Sequence, residues 1–347
     1  VGSPYPLHWA GSEPDHSMNN VRSRIQAFLG RHLFAYVAIL ALLVVILAAL
    51  LGRGSFIDAW SGFDARLALP VLALSLANYL LRFLKWHLLL LALGDRVPFF
   101  ANLRIYFACL SMVVTPFRLG EVYKVIFLKR LYGLPLKKTA PALLVDRLTD
   151  AIAVMALATL GISSGQSSAL PRLLLVLGLT LAAVVLLGRA EVQAFCVGTL
   201  RRVRWTRRRA DDLAEAMASG ARRFSVRNLV PALALSVAAW FAECVGLYLI
   251  LVGLGTPIDL ATATWIYAAS TIAGNLTLLP GGLVGTEAVM VGMLRQVGVA
   301  VQPAAAATLL IRGATLWFAV VLGVVTTWTS RRQLHWEEVR EEASRYS

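Results

Sequence analysis

Residues 70–108 read PVLALSLANYLLRFLKWHLLLLALGDRVPFFANLRIYFA, and residues 231–269 read PALALSVAAWFAECVGLYLILVGLGTPIDLATATWIYAA. The second stretch is the first written again at an offset of 161 (231 − 70), with Pro70/Pro231, Leu74/Leu235, Ser75/Ser236, Gly94/Gly255, Ile105/Ile266 and Tyr106/Tyr267 in register. The register resumes after a small insertion: Pro116 and Pro280 are 164 apart, and Gly120/Gly285 and Arg147/Arg312 are 165 apart. A duplicated apolar unit with charges at matching places is the mark of a transporter built from internal repeats.

Hydrophobic residues make up 58% of the 347, against roughly 45–50% in a soluble domain. Apolar segments fall at about 33–51, 70–93, 99–115, 119–130, 139–160, 170–188, 229–253, 262–279, 283–297 and 303–329. Several match the roughly 20 residues that a helix needs to cross a bilayer, so the expected fold is an all-α polytopic membrane protein. The net charge of +14 is mostly arginine in loops. There it sets orientation against the membrane and does not point to nucleic acid. Cys109, Cys196 and Cys244 are scattered, with no disulfide or zinc spacing, and the five histidines show no metal spacing. No phosphate-binding G-x-x-x-x-G-K-[ST] loop is present. No metal, cofactor or intrinsic ATPase is expected.

Loop charges thread the chain. Segment 189–227 has ten arginines against four acids, and 124–138 has five lysines and arginines with no acid, so both belong on the cytoplasmic side with Arg22, Arg24 and Arg31 of the N-terminus. Segments 161–171, 254–262 and 298–303 hold one charge, Asp259, and belong outside. The pair 99–115 and 119–130 then begins and ends inside, and the pair 262–279 and 283–297 begins and ends outside. Each pair reads as a re-entrant helical hairpin with its breakers at the turn, a broken backbone tolerated only where protein or water surrounds it. Three full spans, an odd number, separate equivalent points of the two units, so the expected architecture is two inverted repeats with re-entrant hairpins and about six full spans in all.

The expected partition is a leader or tag scar at 1–17, an N-terminal span and linker at 18–69, and a first repeat at 70–160. A connecting span and basic cytoplasmic loop follow at 161–230, then a second repeat at 231–329 and a polar cytoplasmic tail at 330–347. The basic stretch 201–227 enforces topology, or alternatively recruits anionic lipid at the inner leaflet.

Ionisable residues inside apolar segments each cost roughly 2.5–3.5 kcal/mol at the bilayer centre, so they mark function or structural ion pairs. The set is Arg82, Lys85, Arg118, Glu121, Lys124, Asp146, Arg147, Asp150, Glu243, Glu287 and Arg312. Arg82 and Glu243 occupy equivalent positions (243 − 82 = 161) with opposite sign, which suggests an ion pair. Lys124, near a hairpin end, reads as a snorkelling lysine. The first hairpin tip is Thr115-Pro116-Phe117-Arg118-Leu119-Gly120-Glu121, and the second is Pro280-Gly281-Gly282-Leu283-Val284-Gly285-Thr286-Glu287. Each starts a second helix whose free N–H groups attract an anion, with a glutamate in the first turn that alternatively caps it. Arg147 and Arg312 follow at matched positions, and the planar guanidinium suits bidentate phosphate binding.

These tips, the run Asp146-Arg147-Leu148-Thr149-Asp150 and Arg312 resemble the flippase-like transmembrane region of lysylphosphatidylglycerol synthases and its stand-alone relatives. The resemblance covers about residues 30–330. In that family the first tip commonly reads T-P-x-R-x-G-E, matched by Thr115, Pro116, Arg118, Gly120 and Glu121. The second reads P-G-G-x-G-x-x-E, matched by Pro280, Gly281, Gly282 and Glu287, with Val284 where glycine is usual. Asp146 stands where the family commonly has glutamate.

The resemblance implies lipid translocation: a flippase or scramblase for a phosphate-bearing head group on a phospholipid, polyprenyl-linked lipid or hopanoid/glycolipid. The substrate-binding set would be Arg118, Glu121, Asp146, Arg147, Asp150, Glu287 and Arg312. Expected partners are membrane lipids and a lipid-synthesising enzyme. The expected location is the cytoplasmic membrane of a prokaryote, with both termini inside. With a polar tail after 330 and no soluble transferase segment, the chain is not expected to be an enzyme. The alternatives are an accessory scaffold for a lipid-modifying enzyme and a membrane-embedded lipid-phosphate enzyme using Asp146, Arg147 and Asp150 as acid–base groups. In a cysteine-free background, single cysteines at Gly165 and Ser225 should label from opposite sides of the membrane. Labelling of both from one side would end the inverted thread.

Overall fold

Asp64 Oδ1 accepts from the Arg66 backbone N–H at 3.0 Å and closes a 3-10 turn, Ala65–Leu67, that leads into helix α1, Ala68–Ala92. Pro70 falls in the first turn, where the missing N–H has no intrahelical acceptor to serve. The helix stops at Gly94, φ +82°, whose N–H donates to Leu91 O at 2.9 Å while Asp95 N–H donates to Leu90 O at 3.1 Å. The repeat mate Gly255, φ +67°, ends α5 (Val226–Gly253) the same way, with Gly255 N–H to Val252 O and Thr256 N–H to Leu251 O, both 3.0 Å. The duplicated sequence thus carries a duplicated stop, the left-handed cap that glycine favours.

The computed structural model describes residues 62–114, 119–134, 136–161, 226–256, 258–277 and 279–330. The expected spans at 33–51 and 170–188, nearly all of the basic segment 189–227, the tail, and the first tip's Thr115, Pro116 and Arg118 lie outside the described residues. Between α1 and α5 run α2 (Phe99–Leu110), α3 (Leu119–Tyr132) and α4 (Leu136–Gly161). After α5 come α6 (Leu260–Leu276), α7 (Gly285–Gln296) and α8 (Val301–Ser330). A single π turn at Gly313–Trp317 interrupts α8 just after Arg312. Among the described residues the secondary structure is these eight helices and two 3-10 turns, Ala65–Leu67 and Pro280–Gly282, with no strand. Ala65–Ala92, Arg227–Gly253 and Val301–Ser330 are long and apolar enough to cross a membrane. Helix α4 has 26 residues but carries Asp146, Arg147 and Asp150 mid-length.

Helices α1 and α5 form the most extensive interface. Lys85 Nζ donates to Ser236 Oγ at 2.9 Å, Asn78 Nδ2 donates to Ala239 O at 2.8 Å, and Val71 lies beside Gly246. Numbers fall along α5 as they rise along α1, so the two helices are antiparallel. Asn78 and Ala239 are repeat mates, 161 residues apart. The elements also interlock: α6 packs along α4, and α2 packs along the second half of α8. Each short helix pair therefore rests on the long helix of the other half. One apolar core gathers around Leu247, Ile266, Met290 and Ile311, a second around Phe83, Trp86, Phe127 and Leu128. Val114 and Leu316 join the two halves near the tips.

Both helix breaks need a residue without a side chain at the same repeat position. A Cβ on Gly120 would stand 2.5 Å from Cys109 O, and one on its mate Gly285 would collide with Thr277 Cγ2. At the second break a 3-10 turn, Pro280–Gly282, precedes α7, with Gly281 at φ +62° and Gly282 at φ +65°. Val284 follows at φ +67°, ψ −50°, a strained conformation for a β-branched residue. Valine here occupies a site whose backbone asks for glycine. Val284→Gly should therefore raise stability by about 1 kcal/mol, the released strain less the entropy cost of glycine. Thermal unfolding of the detergent-solubilised protein measures it, and an unchanged or lowered midpoint would contradict the strain.

Candidate functional site: a charged cavity between the repeats

Arg82 and Lys85 lie about one turn apart on α1, opposite Asp146 and Asp150, which share a face of α4 at i and i+4 spacing. Lys85 is fully buried. Its Nζ donates to Asp150 Oδ1 at 2.6 Å, the Asp146 carbonyl at 2.9 Å and Ser236 Oγ at 2.9 Å, and forms an ion pair with Asp146 Oδ1 at 2.9 Å. Arg82 Nη2 reaches Asp150 Oδ2 at 3.1 Å, and its guanidinium lies 5.2 Å from the Trp240 ring centre. Arg147 Nη2 binds Asp146 Oδ2 at 2.5 Å and Glu121 Oε1 at 3.1 Å, with Asp150 Oδ2 at 3.6 Å. Lys124 Nζ completes the set, 2.8 Å from Glu121 Oε2 and 3.9 Å from the Trp86 ring centre.

The second repeat carries a simpler version. Arg312 Nε donates to Glu287 Oε1 at 2.7 Å, and Nη2 donates to the Gly281 carbonyl at 2.7 Å. In each half an arginine is neutralised by the first-turn glutamate of the helix after the break. In the second half the arginine also pins the tip. The π turn after Arg312 turns carbonyls outward, and Tyr79 Oη donates to Thr315 O at 2.5 Å and Ala314 O at 3.3 Å.

These groups surround a cavity of ≈ 130 Å³. At about 30 Å³ per water it has room for roughly four waters or one small anionic group. Arg82, Lys124, Arg147 and Arg312 face it with Glu121 and Glu243, among the aromatic walls Tyr79, Tyr106, Trp240 and Tyr267. The Nε atoms of Arg82 and Arg147 and the indole N–H of Trp240 are buried without a protein partner. A second, more apolar cavity of ≈ 330 Å³ lies between α4, α5 and α6 and shares Arg147, Trp240 and Asn275 with the first. Its far wall is Val154, Met155, Ile272 and Leu276.

The expected site residues divide into three groups. Glu121, Arg147 and Arg312 line the cavity, as do Gly120 and Gly281 of the tips. Asp146, Asp150 and Glu287 stand behind as counter-charges, and Gly282 is buried at the turn beside Pro280. Arg118, Thr115 and Pro116 lie outside the described residues. Two expectations are corrected. Arg82 and Glu243 do not pair: Arg82 is taken by Asp150, and Glu243 Oε2 accepts from Tyr267 Oη at 2.6 Å. Asp150 of α4 takes the Arg82 guanidinium, while Asp146 goes to Lys85 and Arg147. Lys124 does not snorkel; at 2% exposed it turns inward, where Glu121 and the Trp86 face compensate its charge. Sequence reading also passed over the aromatic walls, although Tyr106 and Tyr267 were visible as in-register repeats.

The structure is that of an all-α membrane protein with a charged cavity between its helices. The chain belongs to the family described as the lysylphosphatidylglycerol synthase TM region, whose model matches residues 33–323. Two relatives from Methanothermobacter thermautotrophicus, each described as a UPF0104 membrane protein, are 32% identical over 96 residues and 30% identical over 91. The first match covers 28% of this chain and 28% of the relative, and the second covers 26% and 27%.

Lys85 organises three helices from a fully buried site. Lys85→Met should cost about 1–3 kcal/mol by leaving buried Asp146 and Asp150 oxygens short of a donor, while Arg147 and Arg82 still hold their Oδ2 atoms. Thermal unfolding in detergent tests this, and a wild-type midpoint would place the clasp among neutral contacts.

Proposed function

We propose that the protein is a lipid flippase or scramblase of the cytoplasmic membrane that carries a phosphate-bearing head group through the cavity while the acyl chains stay in lipid. One observation carries the reading: in both repeats an arginine faces a common cavity, each held by a glutamate that an anionic head group could replace. Such a mechanism lowers the cost of dehydrating the head group. The apolar groove that reaches Arg147 between α4 and α6 supports a path on which a head group and a chain are held together.

The inverted-repeat architecture is supported by the crossing of α1 and α5. Repeat mates touch one another only on the axis that relates them, as Asn78 and Ala239 do. Antiparallel mates put that axis in the membrane plane, the arrangement used for alternating access. The two helix breaks read as the re-entrant tips of that architecture. The acids around the cavity are each held by a cation or, for Glu243, by a tyrosine, an arrangement that suits the holding and release of a charged group. Membrane lipids are the proposed partners, with a lipid-synthesising enzyme supplying them.

Arg→Lys keeps the charge and loses the planar fork. Arg147→Lys and Arg312→Lys should each slow lipid flipping at least about tenfold, equivalent to about 1.4 kcal/mol. The measurement is head-group exposure of fluorescent phosphatidylglycerol in phosphatidylethanolamine–phosphatidylglycerol vesicles holding monodisperse protein. Wild-type rates in both variants would leave the arginines as structural ion pairs.

A further inference from the structure

Glu243 stands apart from every other buried acid among the described residues. Asp95, Asp146, Asp150 and Glu287 each have a lysine or arginine within ion-pairing distance, as does Glu121 at the cavity wall. Glu243 is 5% exposed, lies mid-way along α5, faces the cavity, and has no such cation. Its hydrogen-bond partner is the Tyr267 hydroxyl at 2.6 Å. The titratable and charged groups around it are Tyr79 and Arg82 on α1, Asp150 on α4, Cys244 beside it on α5, Tyr267 on α6 and Arg312 on α8. The two arginines are already committed, Arg82 to Asp150 and Arg312 to Glu287.

The charge count around the cavity gives this isolation a consequence. Among the described residues, five cations (Arg82, Lys85, Lys124, Arg147, Arg312) stand with four paired carboxylates (Glu121, Asp146, Asp150, Glu287), so 5 − 4 leaves +1. An ionised Glu243 cancels that charge. A protonated Glu243 leaves it free, and one positive charge matches one phosphodiester monoanion. Intramembrane carboxyls that are unpaired and line a transport path serve as proton carriers.

We propose that Glu243 is a proton-binding site that couples lipid movement to protons: its carboxylate takes up one H⁺ as an anionic head group enters the cavity and releases it as the head group leaves. One proton and one phosphodiester anion then move together. The step is electroneutral, responding to a pH gradient and not to membrane potential. The inference rests on the flippase reading, and two measurements separate the fates of the two.

The first is proton uptake. Short-chain phosphatidylglycerol is added to detergent-solubilised protein in weakly buffered solution with a pH indicator. Wild type should take up about one proton per protein as the lipid binds, Glu243→Gln should take up none, and Glu243→Asp should restore uptake. Absence of uptake in wild type, or equal uptake in Glu243→Gln, overturns the proposal without reference to transport. The second is flipping of fluorescent phosphatidylglycerol in phosphatidylethanolamine–phosphatidylglycerol vesicles under an imposed pH gradient or an imposed potassium-diffusion potential. The wild-type rate should change severalfold with the pH gradient and stay constant with potential. Flipping that ignores the pH gradient removes the proton site and keeps the flippase. Uptake without flipping keeps the proton site and removes the transport reading.

Discussion

The Lys85 ammonium, fully out of solvent, holds α1, α4 and α5 together. A lone ammonium in a bilayer interior is unaffordable, so two aspartates, a carbonyl and a serine hydroxyl must converge on it. That convergence sets the rest. It brings α4 against α1, which places Arg147 at the cavity and Asp150 within reach of Arg82. It fixes the level at which α5 crosses α1, through Ser236, and hence where Asn78 meets Ala239. A buried charge is weak evidence for stability but good evidence for register, because only one arrangement satisfies it.

The repeat was legible because its marks are backbone marks. Gly94 and Gly255 close their helices with the same pair of hydrogen bonds, and Gly120 and Gly285 allow the same close approach. Val284, out of place against its family motif, sits at the positive φ that the usual glycine would occupy without strain. Arg147 and Arg312 were legible for a related reason: an arginine within an apolar run must find an anion, and the nearest acid at a matched position in both halves is the glutamate after the break.

What the sequence concealed was partner choice. Arg82 and Glu243 looked complementary because they share a repeat position, yet a shared position does not make a contact: Asn78 meets Ala239, while one turn on Arg82 and Glu243 take other partners. Asp150 on α4 takes Arg82 instead. Lys124 was misread because proximity to a helix end says nothing about the direction of a side chain; the Trp86 face and Glu121 turn it inward. Pairwise contact between distant segments is set by the three-dimensional crossing, which periodicity does not encode.

The two matched arginines are likewise held differently. The first repeat surrounds its arginine with three carboxylates, while the second gives its arginine one carboxylate and a tip carbonyl. Arg147 is therefore held by charge and Arg312 partly by backbone. On the flippase reading, a head group displacing Glu287 from Arg312 would leave the Gly281 carbonyl as that arginine's remaining partner, whereas one displacing Glu121 from Arg147 would leave Asp146 and Asp150 in place. That reading puts the link between occupancy and backbone in the second repeat, where the arginine holds the Gly281 carbonyl directly.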